Sequence, residues 1–126
     1  MAERLCSLQV AVLVGCSDSG AGRWANLLGV MPGFSGYGGQ RWWTEEQVRA
    51  LRVALLLQGG ADAKGGGETQ RRSRTRLARA ARAAGDRPGS FLCFRVGSEP
   101  EFYPDARSAA LAATQGGVCQ VLRVPD

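Results

Sequence analysis

Histidine is absent from the 126 residues, and lysine occurs once, at Lys64. The first absence removes the commonest general base, the usual catalytic triads and the imidazole metal ligands. The cysteines, Cys6, Cys16, Cys93 and Cys119, include no C-x-x-C pair. A zinc site would have to gather thiolates from scattered positions, so they read as ordinary thiols and no metal is expected. The apolar run of roughly 20 residues that a membrane helix needs does not occur. The opening Met1-Ala2-Glu3-Arg4 lacks the basic start and cleavage site of a secretory leader, so a cytoplasmic location is expected. No phosphate-binding loop motif is present, neither G-x-x-x-x-G-K-[ST] nor a strand-linked G-x-G-x-x-G. Glu45 and Glu46 fall in a helix first turn, where the macrodipole accounts for adjacent carboxylates without catalysis. No enzyme activity, catalytic residue or cofactor is therefore expected.

What is present points to a packed, basic protein. Hydrophobic residues make up 44% of the chain, enough for a core, and the net charge is +5. That charge is unevenly placed. Residues 1–58 hold five arginines against four acids, residues 59–88 hold eight cations against three acids, and residues 89–126 hold three against four. A field concentrated in the middle of the chain suits a polyanion, and arginine suits bidentate phosphate contact.

The N-terminal pattern is helical. Ser7–Val14 reads as a short helix with Ser7 as N-cap, Val10, Leu13 and Val14 on one face, and Gly15 as C-cap. After a Cys16-Ser17-Asp18 turn, a second helix is expected from about Ser19 to Leu28, weakened by Gly20 and Gly22. Gly29 to Gly39 reads as a glycine-rich loop or hairpin, followed by strand-forming Gln40-Arg41-Trp42-Trp43. Trp43 is expected in the core; Trp42 is left open between core and surface. Thr44-Glu45-Glu46-Gln47 is a capping box, opening a helix to about Gln58 with Val48, Leu51 and Leu55 as its stripe and Arg49 and Arg52 pointing elsewhere. Residues 59–68 read as a flexible linker. A helix from Thr69 to Ala84 carries little besides alanine and arginine, with Leu77 alone of any size, and is expected on the surface. The remainder reads as a strand near Phe91–Val96, a turn, a short strand Glu101–Tyr103, a helix capped by Asp105 and a final strand near Val118–Val124.

The fold class expected is α+β, in three parts: a helix-turn-helix unit over residues 1–58, a glycine-rich linker with a basic helix over 59–90, and a small strand-strand-helix-strand unit over 91–126.

The first 58 residues resemble a known family. They run from Gly15-Cys16-Ser17 through Arg23-Trp24 and Gly29-Val30 to Gly36-Tyr37-Gly38-Gly39-Gln40-Arg41-Trp42-Trp43 and Thr44-Glu45-Glu46-Gln47-Val48. This order is similar to the winged helix-turn-helix DNA-binding domain of the MerR family of bacterial regulators, and the glycines and glutamine before Arg41 are similar to actinobacterial and phage members. The resemblance implies that Arg23, Trp24 and Arg41 contact DNA. Read from the residues themselves, Ser19, Arg23 and Asn26 sit where a second helix could reach base edges, with Gln40 and Arg41 on the wing. Arg71, Arg72, Arg74 and Arg76 form a candidate arm along the DNA backbone. Double-stranded DNA and a second copy of the chain are the expected partners, with the C-terminal unit serving dimerisation or partner contact. An effector is left open. The competing readings are a degenerate helix-turn-helix that binds protein and a recombination accessory factor that bends DNA.

Overall fold

The computed structural model describes residues 4–30, 41–58, 68–95, 98–116 and 119–126. The protein is mixed α+β, with five helices and two small antiparallel sheets among these residues. A strand β1 (Leu5–Cys6) leads directly into α1 (Ser7–Val14), and α2 (Asp18–Leu28) follows. Gly15 and Gly29 end these helices at φ 85° and 77°, the left-handed region that glycine enters without steric cost. Strand β2 (Trp42–Trp43) pairs with β1, placing Leu5 opposite Trp43 and Cys6 opposite Trp42. The helix α3 (Glu45–Gln58) then starts on the expected capping box: Thr44 N–H donates to Gln47 Oε1 at 2.8 Å, and Gln47 N–H to Thr44 Oγ1 at 3.2 Å.

Two helix starts differ from the sequence reading. Cys6, not Ser7, is the N-cap of α1, and its N–H donates to Gln9 Oε1 at 3.0 Å. Ser7 serves the core instead, its Oγ accepting from the indole N–H of Trp43 at 3.0 Å. Trp43 has no solvent exposure and is the largest fully buried side chain. An indole can be buried at low cost only when its N–H is satisfied, and Ser7 supplies that acceptor. Helix α2 begins at Asp18 because Ser17 caps it, accepting from Gly20 N–H at 3.0 Å.

The helix α4 (Glu68–Ala84) corrects a larger expectation. It is a core element: Leu77, Ala78, Ala80, Ala81 and Ala84 are buried in the same cluster as Leu51, Val53 and Leu57 of α3 and Trp24 of α2. Alanine buries little area per residue, but its small volume lets helix axes approach closely. The C-terminal end of α4 is fastened by Arg49, which is buried rather than pointing outward. Its Nη1 donates to the carbonyl of Gly85 at 2.5 Å, and its Nη2 lies 3.5 Å from the exposed Glu45 carboxylate. Gly85 is itself required at this approach, since a Cβ there would lie 2.8 Å from the Glu46 carbonyl.

The second sheet has the order β4-β3-β5, formed by β3 (Phe91–Phe94), β4 (Glu101–Tyr103) and β5 (Gln120–Arg123), with both neighbours antiparallel to β3. The central strand is covered on both sides, which explains its unbroken Phe-Leu-Cys-Phe run. Leu92 and Phe94 join the helical core, whereas Cys93 faces α5 (Ala106–Thr114) and donates to the Ala109 carbonyl at 3.6 Å. Asp105 caps α5 as expected, accepting from Ser108 N–H at 2.7 Å, and that bond holds its carboxyl below the usual range. Gln120 Nε2 donates to the Leu57 carbonyl at 3.2 Å, tying β5 to the end of α3.

Burial raises the Cys93 thiol pKa, and the neighbouring Cys119 adds to the shift. A group whose folded pKa is raised contributes stability that is complete below its unfolded pKa and lost as pH rises through the folded value. Stability of the wild type should therefore decline above the ordinary thiol range, and Cys93→Ala should flatten that decline. Urea midpoints measured from neutral pH to about pH 10 check it.

Candidate nucleic-acid interface

The packing of α2 decides which of its residues can meet a ligand. Ala21, Trp24, Ala25 and Leu28 recur at helical spacing and are buried against the core. Ser19, Arg23 and Asn26 lie on the opposite stripe and are exposed. Trp24 is thus a correction to the expected contact set. It is 5% exposed, held inward by the same helical phase as Ala21 and Leu28, and belongs to the core.

Arg41, directly before β2, is brought onto the exposed face of α2. Its Nη2 donates to Asn26 Oδ1 at 2.5 Å. The contact joins residues fifteen apart in sequence and orients the Asn26 amide. The Arg41 Nε is buried without a hydrogen-bond partner among the described residues. Among the described residues neither Arg23 nor Arg41 forms an ion pair, and Arg23 is exposed. The helix N-terminus contributes less: Ser17 occupies the Gly20 N–H and Asp18 places a carboxylate in the first turn. Ser19 Oγ lies 3.3 Å from Ser17 Oγ, next to that cap.

Gly22 sits beside these residues, and a Cβ added there would meet nothing within 4 Å. It is free of the close contact that Gly85 makes. Gly22→Ala should therefore stabilise the fold by about 0.5–1 kcal/mol through helix propensity. Gly85→Ala should destabilise it by about 1–3 kcal/mol through the clash with the Glu46 carbonyl. Thermal unfolding of the two variants side by side checks the opposite signs.

The expected arginine arm is divided by the packing of α4. Arg74 is half-buried, whereas Arg76 is exposed and lines a small cleft with Arg79 and Arg95 beside the second sheet. Arg79 pairs there with Glu99 at 2.9 Å. Arg82 lies elsewhere, its guanidinium close over Gly29 at the C-terminal end of α2, where it complements the helix dipole. Gln40 and the side chains of Arg71 and Arg72 lie outside the described residues, as do the loop 31–40 and the linker 59–67. The burial of Arg49 was missed because its acceptor, the Gly85 carbonyl, is 36 residues away and carries no side-chain signal. Among the described residues no helix is long and apolar enough to cross a membrane. No protein-family model, curated protein or solved structure matches the chain.

Proposed function

We propose that this protein is a non-enzymatic binder of double-stranded DNA, built on a MerR-like winged helix-turn-helix and acting as a small transcriptional regulator of the cytoplasm and nucleoid. The observation that carries the reading is the Arg41–Asn26 hydrogen bond, which brings a half-buried guanidinium to the exposed α2 stripe that also carries Arg23. Arg23 and Arg41 supply phosphate contacts, and Asn26 is the residue able to read an adenine edge. Ser19 adds a hydroxyl at the helix start. Trp24 takes no part. Affinity rests on the backbone, with modest base specificity, because few side chains on this stripe reach base edges and the Asn26 Oδ1 already accepts from Arg41.

Selection of bound sequences from a random duplex pool tests the specificity. A short degenerate motif with one or two preferred adenines is the expected result; a long, sharply defined motif would contradict it. A pair of copies on two half-sites is the assembly in which such a domain gains affinity. Sedimentation with and without duplex reads that directly. The outer face of α1 favours a second reading, a protein-interaction module, since Leu8, Val12 and Leu13 are exposed there, Val12 by 78%. Absence of DNA affinity at low salt would decide for it.

A further inference from the structure

The geometry points to a binding site for a small apolar carboxylate in the cleft between the end of α1, the following turn and α3. The cleft has a volume of about 360 Å³, and Pro125 from the C-terminal segment also lines it. That volume falls in the range that holds drug-sized ligands, roughly 300–1,000 Å³. Val14, Leu55, Leu56 and Pro125 supply the apolar lining, and the turn contributes Gly15 and Cys16. One charged residue faces this surface, Arg52. It is half-buried, and no ion pair or hydrogen bond engages it among the described residues.

Arg52 sets a cation beside apolar walls, and a molecule with a carboxylate head and a hydrocarbon body matches both features at once. The carboxylate makes the charge-assisted, bidentate contact for which guanidinium is shaped. The hydrocarbon body of the same molecule covers Val14, Leu55 and Leu56. Charge complementarity therefore selects a monoanion with an apolar body over a neutral or cationic one. The site lies apart from Arg23, Asn26 and Arg41 and stands or falls independently of DNA binding.

The test uses the full chain with 4-phenylbutyrate and its neutral counterpart 4-phenylbutanol as probes, followed by methyl NMR shifts. The acid should bind with a dissociation constant on the order of 1 mM, as expected for about a dozen heavy atoms at ordinary efficiency. It should bind about fivefold to tenfold more tightly than the alcohol, with shifts at Val14, Leu55 and Leu56. Arg52→Gln should bring the two probes to equal affinity while leaving the alcohol unchanged, which also shows that the variant is folded. Arg52→Lys should keep part of the preference. Equal binding of acid and alcohol to the wild type would overturn the proposal. So would no binding of either probe at about ten times the expected constant. A dimer that Leu56→Glu disperses would also overturn it, assigning the cleft to a second copy.

Discussion

Trp43→Ala should destabilise the protein by about 3–5 kcal/mol, the range for deleting a large buried aromatic. The side chain is wholly enclosed and lies where β1, α1 and the start of α3 meet, so no neighbouring element can close the cavity without losing its own contacts. A domain of this size has about 5–15 kcal/mol in total, so the variant should melt on the order of 10 °C lower or fail to fold at ambient temperature. Trp43→Phe should recover most of the loss, because Ser7 Oγ is half-exposed and can turn to water when the indole N–H is gone. If Trp43→Ala melted within about 2 °C of the wild type, the β1–β2 pair would not be the anchor of the N-terminal core.

The local features of this fold were legible where a short segment carries its own physical cause. Gly15 ends α1 and the Thr44–Gln47 box starts α3 because capping is decided within four residues. The same holds for Asp105 and α5. Features decided across the chain were not legible. Alanines in α4 have a helix propensity but no stated partner, and only the close approach of α3 turns them into core. Arg49 looks like a solvated cation until the Gly85 carbonyl arrives against it.

The candidate site divides in the same way. The exposed stripe Ser19, Arg23 and Asn26 follows from helical period alone. The inward face of Trp24 follows from that period as well, and it outweighs the role implied by resemblance. That Arg41 reaches Asn26 depends on β2 pairing with β1, which links a strand residue to a helix face across the intervening loop.

The largest functional effect is expected at this pair of arginines. Each phosphate neutralised by a cation releases counterions, so the logarithm of the binding constant falls with the logarithm of salt at about 0.9 per phosphate. Arg23→Ala with Arg41→Ala should reduce that slope by about 2 and weaken low-salt binding by about 10-fold to 100-fold, uniformly across sequences. Arg23 is exposed and Arg41 contributes one side-chain hydrogen bond, so the double variant should lose no more than about 0.5–1.5 kcal/mol of stability. Asn26→Ala should leave the salt slope unchanged and reduce only the preference among sequences.

The most direct measurement is a fluorescence anisotropy titration of a mixed-sequence duplex with the wild type and the Arg23→Ala/Arg41→Ala variant at about 50 mM and 200 mM salt. Tight wild-type binding at the lower salt, steep loss at the higher, and a double variant that is weaker and less salt-sensitive are the expected results. No wild-type binding at the lower salt, or a double variant indistinguishable from the wild type, would contradict the assignment of this face to DNA.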